Sequence, residues 1–124
     1  MTLERDEIGR RSRRVPTRLE GALLGRSRRG ITVVELSPTG CLAQCSAAPD
    51  RGAILDLEID MEGQAFAAKV RVSQSSVEGG SPPGGPPMYL AGLEFLALTA
   101  EAEARLHRFL DDQRRRKGAD TLPS

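Results

Sequence analysis

The feature that most constrains the fold is a strict two-residue alternation in the middle of the chain. Apolar residues occupy every second position from Leu55 to Met61, and acidic residues occupy the positions between them. A second alternation runs from Phe66 to Val72, after the dipeptide Glu62-Gly63. A period of two is that of a β-strand with one buried face, and a short turn ending in glycine is typical of a hairpin. The pattern therefore predicts two antiparallel strands.

Four further segments have strand character. They are Val15–Leu24, in which Pro16 suits a strand start, Ile31–Leu36, which is rich in β-branched residues, Cys41–Ser46, and Met88–Leu96, which has apolar residues at alternate positions. Residues 37–40, Ser-Pro-Thr-Gly, predict a turn in which Pro38 supplies its restricted φ and Gly40 takes a positive φ. Residues 74–87 are so rich in glycine and proline that we expect a flexible excursion there.

A helix is predicted after the last strand. Thr99 is a good N-cap, and an apolar stripe at helical spacing follows it, comprising Ala102, Leu106, Phe109 and Leu110. Residues 114–117, Arg-Arg-Arg-Lys, would complement the negative end of its dipole. Six short antiparallel strands leave open edges unless the sheet closes. We therefore expect a mainly β fold, a six-stranded antiparallel β-barrel with a C-terminal α-helix.

The expected organisation is one domain with two basic ends. A chain of 124 residues is long enough for one compact domain and too short for two. Residues 15–113 form the barrel and helix, residues 1–14 a flexible arginine-rich segment, and residues 114–124 a basic tail that is disordered or prolongs the helix. The N-terminus is charged and apolar runs fall short of the roughly 18 residues that span a bilayer. These features predict a cytoplasmic protein without membrane insertion.

Catalytic and metal-binding motifs are missing from the sequence. It contains neither a phosphate-binding glycine loop followed by lysine nor a Gly-x-Ser-x-Gly elbow, and its one histidine is His107. Cys41 and Cys45 are too few for a four-thiolate zinc site, and in a strand their Cα atoms lie roughly 13 Å apart, too far for a disulfide. We expect reduced, packed thiols, no catalysis, no metal and no cofactor.

Charge is strongly segregated along the chain. Residues 1–29 hold nine arginines against four acidic residues, residues 35–112 hold five basic against twelve acidic residues, and residues 113–124 are basic again. Such asymmetry suggests that one end recruits an anionic partner, although a basic tail also serves solubility alone. Four aromatic residues and no tryptophan make a poor platform for stacking bases, so DNA or RNA binding is not expected.

Two motifs resemble a known family. Arg10-x-x-x-Arg14, followed after twenty residues by Glu35-x-Ser37-x-x-Gly40, is similar to the two-part signature of PilZ domains, receptors for the bacterial second messenger cyclic di-GMP. The closing strand, residues 91–96, and the helical segment 104–110 also resemble that family, so the resemblance covers residues 10–112.

The resemblance implies a set of ligand-binding residues, namely Arg10, Arg11, Arg13, Arg14, Glu35, Ser37 and Gly40. Arg10 and Arg14 would grip the nucleotide, because a guanidinium pairs bidentately with phosphate or with guanine O6 and N7. Either arginine between them would add a stacking or phosphate contact. Ser37 would offer its hydroxyl to a guanine edge, and Gly40 would permit close approach.

Position 35 departs from the family pattern, which usually has Asp or Asn there. The longer carboxylate of Glu35 could accept from guanine N1–H and N2–H, or could pair with Arg10 or Arg14 and occupy the pocket.

Three hypotheses for the function follow from these observations. The first is a cyclic di-GMP receptor that orders its N-terminal segment and signals to a partner protein, controlling motility or biofilm. The others are a degenerate adaptor that binds no nucleotide and a nucleic-acid binder that uses both basic ends.

Overall fold

The protein is a closed six-stranded β-barrel with one long helix. The structure is a computed structural model that describes residues 14–77 and 87–121, with side chains to residue 116. The elements are β1 (Val15–Leu24), β2 (Arg28–Ser37), β3 (Gly40–Cys45), β4 (Ile54–Met61), β5 (Gln64–Val77), β6 (Tyr89–Leu96) and α1 (Ala100–Thr121). The predicted fold class is confirmed.

The barrel closes in the order β1-β2-β3-β6-β5-β4, and β4 pairs with β1. Every neighbouring pair is antiparallel, and an alternating sequence pattern with one buried face is typical of antiparallel sheets. The predicted hairpin is confirmed, since Met61 pairs with Gln64 across the turn Glu62-Gly63. Closure gives every strand of the barrel a hydrogen-bonded neighbour on each side, which is the physical reason for expecting it.

One face of each strand fills the core. The largest fully buried side chains include Phe66, Leu36, Leu57 and Ile59, and the ring of Phe66 lies 5.6 Å from that of Phe95. Both cysteines are buried and unpaired, so the expectation of packed thiols is confirmed. Outward positions 56, 58 and 60 of β4 are exposed carboxylates, and Asp56 forms a surface ion pair with Lys69 of β5 and Glu58 one with Arg28 of β2.

Helix α1 begins at the predicted cap. The hydroxyl of Thr99 accepts a hydrogen bond from the backbone N–H of Ala102 at 3.0 Å. The predicted stripe is buried against the barrel, and Arg105 Nη1 donates to the carbonyl of Ala65 at 2.6 Å. Within the described residues, no helix is both long and apolar enough to cross a membrane.

The end of the helix differs from the expectation. Because α1 continues to Thr121, residues 114–116 lie inside it rather than at its negative pole. Their guanidinium groups pair instead with carboxylates, Arg114 with Asp111 and Arg116 with Glu62 of the β4–β5 turn. The suggestion that basic residues complement the dipole is therefore wrong, and of the two forms considered for the tail, prolongation of the helix holds through residue 121.

Two strands are longer than predicted. β2 begins at Arg28, three residues before Ile31, because Arg28 to Gly30 pair with the last residues of β1. β5 continues to Val77 and pairs there with Tyr89 of β6. The interpretation of residues 74–87 as an excursion is thus wrong for 74–77, and residues 78–86 lie outside the described residues.

Three β-bulges lie close together on the barrel wall. One extra residue is inserted in β1 between Pro16 and Leu19, one in β2 at Val34, and one in β5 at Ser73. Bulges locally re-aim side chains and are common beside functional sites. Glu35 and Gln74 directly follow two of these insertions, so the part of the barrel wall between them is a candidate functional surface.

Candidate functional site

The residues expected to bind a ligand surround one cavity. It has a volume of about 470 Å³ and lies on the outer wall of the barrel, beside the turn that joins β2 to β3. Arg14, Glu35, Ser37 and Gly40 all line it. Arg10, Arg11 and Arg13 lie outside the described residues, so the structure brings together four of the seven.

Pairing of β1 with β2 brings the first of these side chains together. Pro16 pairs with Glu35, so Arg14 at the entry to β1 lies beside that carboxylate. Arg14 Nη1 is 3.5 Å from Glu35 Oε1, and the two side chains are 51% and 32% exposed. An ion pair in such contact with water contributes at most about 1 kcal/mol. Glu35 thus pairs with Arg14, as in one of the two arrangements considered for it, and the pair is weak.

The hydroxyl of Ser37 is engaged within its own turn. Ser37 Oγ accepts from the backbone N–H of Thr39 at 3.2 Å and donates to the carbonyl of Gly40 at 3.2 Å. The Thr39 hydroxyl also lies 3.3 Å away. These contacts fix the turn, and the Ser37 proton has to leave the Gly40 carbonyl before it can be donated to a ligand.

Gly40 is a glycine for a different reason than expected. Among the described residues, glycines with positive φ are Gly52 and Gly63, so the expectation of a positive φ at Gly40 is wrong. A Cβ built at Gly40 would instead collide with the carbonyl oxygen of Leu93 on β6. The position is confined by the neighbouring backbone, which explains how the turn approaches β6 so closely.

The far wall of the cavity consists of residues that sequence reasoning did not assign to the site. Ser73 and Gln74 of β5 and Gly92 and Glu94 of β6 line it. Glu94 pairs with Gly40 across the sheet, and its carboxylate lies 3.3 Å from Arg71 Nη1. The sequence did contain one sign of this wall, which is the glycine at position 92. A glycine inside a strand pattern indicates close approach of another group.

The charges of the described lining indicate that an anionic ligand would need more positively charged groups at this site. Arg14 brings positive charge to the cavity, whereas Glu35 and Glu94 bring negative charge. A doubly anionic ligand is not favoured by that balance alone. The arginines just before Arg14 in the sequence are the nearest covalently attached source of positive charge.

His107 and Cys41, which were also considered in the sequence, take no part in ligand binding at this cavity. His107 lies on α1, with Nε2 3.9 Å from Glu103 Oε2, and does not line the cavity. Cys41 contributes to the lining, but burial raises the pKa of its thiol to about 12. At neutral pH it is therefore a protonated, unreactive packing residue.

The sequence match decides the family. The family model for the PilZ domain matches residues 9–112. The chain belongs to the PilZ domain family. No match was found among curated protein sequences.

Solved PilZ structures share this architecture. The PilZ domain of YcgR from Escherichia coli with c-di-GMP superposes with a TM-score of 0.71 at 17% identity, over 88% of this chain and 95% of that one. YcgR in complex with c-di-GMP, also from Escherichia coli, gives a TM-score of 0.69 at 18% identity, over 89% of this PilZ chain and 49% of YcgR.

A third PilZ relative in structure is the inhibitor of motility MotI/DgrA from Bacillus subtilis. Its TM-score is 0.65 at 16% identity, over 88% of this chain and 50% of that one. This PilZ chain therefore spans about half the length of YcgR and MotI. At these identities the likeness establishes the shared fold.

Proposed function

We propose that this PilZ domain is a receptor for cyclic di-GMP, with the cavity beside the β2–β3 turn as its binding site. The observation that carries the proposal is the convergence of Arg14 with Glu35, Ser37 and Gly40 on one cavity. These residues come from two sequence motifs some twenty positions apart, and the barrel aligns them through the pairing of β1 with β2. The neighbouring structures of YcgR contain c-di-GMP, which supports the choice of ligand.

The existing contacts of Arg14 are compatible with exchange for a ligand. Its ion pair with Glu35 is worth at most about 1 kcal/mol. Charge-assisted hydrogen bonds from a guanidinium to phosphate contribute about 1.5–3 kcal/mol and are often bidentate. A phosphate therefore displaces Glu35 from Arg14, and the freed carboxylate accepts from guanine N1–H and N2–H.

The remaining arginines complete the charge balance. Two phosphates need more positive charge than Arg14 supplies, and Arg10, Arg11 and Arg13 directly precede it. Binding that repositions Arg14 also repositions the chain before it, because the two are covalently continuous. Ordering residues costs roughly 1–2 kcal/mol each, so only part of this segment is fixed at micromolar affinity.

The proposed output is a new surface for a partner protein. A ligand clamped between the N-terminal arginines and the barrel creates a composite surface that neither presents alone. We propose a cytoplasmic location for this receptor. Motility or biofilm formation is the proposed process, since one structural neighbour is an inhibitor of motility.

The contact between Arg14 and Glu35 also favours a second candidate, a PilZ adaptor that binds no nucleotide. In that case the ion pair permanently fills the position of a ligand, and partner binding does not depend on it. The two candidates differ in one measurable property, which is whether the wild-type chain binds cyclic di-GMP.

Isothermal titration calorimetry with cyclic di-GMP tests the proposal. We expect saturable binding by the wild type and a loss of about 10- to 100-fold in affinity for Arg14→Ala, as removal of a charged hydrogen-bond donor predicts. Arg28→Ala is the matched control, because Arg28 is also an exposed arginine, paired with Glu58 at 3.0 Å, and does not line this cavity.

The same titration with Glu35→Asp tests whether the Glu35 carboxylate weakens binding of cyclic di-GMP by competing for Arg14. A shorter side chain withdraws from Arg14, so affinity should rise by a few-fold if the ion pair competes with phosphate. No binding by the wild type and by Glu35→Asp would refute the receptor and leave the adaptor.

A further inference from the structure

A row of side chains crosses the barrel wall beneath the cavity. Cross-strand pairing places Glu35 of β2 next to Leu42 of β3, Leu42 next to Gly92 of β6, and Gly92 next to Gln74 of β5. Because neighbouring strands are about 4.8 Å apart, the Cα atoms of Glu35 and Gln74 are about 14 Å apart. All four residues line the cavity, so the row forms its floor and two of its walls.

The middle of this row is a low, apolar floor. Leu42 is half-buried and supplies the apolar surface, whereas Gly92 is covered by the side chains of Ser73 and Gln74, whose Oγ and Cγ lie 2.8 Å and 3.0 Å from where a Cβ would be. The ends are polar, with a carboxylate at Glu35 and an amide at Gln74. A flat apolar surface between two hydrogen-bonding groups suits a planar heterocycle, which packs by its face and is recognised at its edges.

The fold aims Gln74 at this floor. The extra residue Ser73 shifts the register of β5, so that Gln74 rather than Ser73 pairs with Gly92. A Cβ on Gly92 would lie 3.0 Å from Gln74 Cγ and 3.5 Å from Gln74 Nε2, so the side chain of Gln74 leans across the glycine. The Ser73 hydroxyl donates to the carbonyl of Gly92 at 3.1 Å, which fixes the bulge.

The amide of Gln74 is available to a ligand. Within residues 14–77 and 87–116 it forms no hydrogen bond or ion pair, unlike Glu35, Ser37, Ser73 and Glu94 around the same cavity. An amide presents a donor and an acceptor side by side, and guanine presents the complementary pair, O6 and N1–H, on one edge.

We propose that Gln74 is a ligand-binding residue that holds one base of the dinucleotide over Leu42 by pairing with its edge. This inference rests on the proposed function of the cavity and adds the residue that defines its far wall. It assigns one guanine to Gln74 and leaves the motif residues around Glu35 and Arg14 for the other base and the phosphates.

Calorimetric titration with cyclic di-GMP tests the role of Gln74. We expect Gln74→Ala to bind about 5- to 10-fold more weakly than the wild type, as loss of hydrogen bonds to a neutral amide predicts. Gln64→Ala is the matched control, an exposed glutamine of the same strand outside the cavity.

Nuclear magnetic resonance supplies a readout that a structural role would not move. The side-chain amide resonances of Gln74, assigned by their absence in Gln74→Ala, should shift on addition of cyclic di-GMP, whereas those of Gln64 should not. If Arg14→Ala weakens binding but Gln74→Ala does not, the inference is wrong and the receptor stands. If neither the wild type nor Glu35→Asp binds cyclic di-GMP, both are wrong.

Discussion

Substitution of Gly40 by alanine tests the most specific structural claim about the turn. The added Cβ would collide with the carbonyl oxygen of Leu93 and would also lie 3.2 Å from its carbonyl carbon and 3.3 Å from Glu94 Cα. All three atoms belong to the backbone of β6, which is paired with β3 at this point. Relief therefore requires the two strands to separate, because no side chain can rotate away.

The expected cost follows from known magnitudes. Overpacking in a tightly packed region costs about 1–3 kcal/mol, and weakening one cross-strand hydrogen bond adds about 0.5–1.5 kcal/mol. A Gly-to-Ala change also lowers the conformational entropy of the unfolded chain, which stabilises the folded state by about 0.4–1 kcal/mol. We expect a net loss of about 0.5–4 kcal/mol, or roughly 2–16 °C in Tm for a domain of this size.

Gly30→Ala is the control. Gly30 also lies in a strand, lacks a positive φ, and has open space where a Cβ would be placed. Thermal and urea unfolding followed by circular dichroism should show Gly30→Ala at or slightly above wild-type stability and Gly40→Ala well below it. Equal stability of the two variants would refute the argument from close approach.

Asparagine at position 40 separates the two explanations for this glycine. Asparagine tolerates a positive φ better than alanine. If the turn required a positive φ, Gly40→Asn would be milder than Gly40→Ala. Because the obstacle is the space for a Cβ, we expect Gly40→Asn to be at least as destabilising.

Two further predictions concern stability. Burial raises the pKa of Cys41 from 9.0 to about 12, so between these pH values the unfolded chain loses the thiol proton and the folded chain keeps it. The free energy of unfolding should therefore fall by about 1.4 kcal/mol per pH unit above pH 9. Urea unfolding at pH 8 and pH 10.5 should show a smaller fall for Cys41→Ala than for the wild type. Equal falls in the two proteins would contradict this account. Thr99→Ala removes the cap of α1 and should cost about 1 kcal/mol, or roughly 4 °C in Tm by calorimetry, and an unchanged Tm would show that the cap does not support the helix.

The sequence predicted those parts of the fold in which one face of an element is apolar and the other polar. The hairpin at Glu62-Gly63 and the buried stripe of α1 were predicted because burial imposes a period on the residues that form them. Closure into a barrel followed from the need to satisfy strand edges, which is a property of the whole sheet.

The continuation of β5 past Val72 shows where such reasoning fails. Residues 73–76, Ser-Gln-Ser-Ser, have no apolar alternation, and the bulge at Ser73 breaks the period that precedes them. They form a strand because β6 supplies hydrogen-bonding partners from Gly92 to Tyr89. Pairing with a distant segment, and not local preference, decides the conformation there.

The same distinction explains which side of the site could be predicted. Arg14, Glu35, Ser37 and Gly40 lie in motifs that a family resemblance makes visible, whereas Gln74 lies in a segment whose composition is that of a loop. Its place in the cavity depends on one inserted residue in β5 and on the absence of a side chain at Gly92 in the partner strand. A residue whose role depends on cross-strand register is identified only once the register is known. The motifs therefore define one half of this site, and the topology of the barrel supplies the other half.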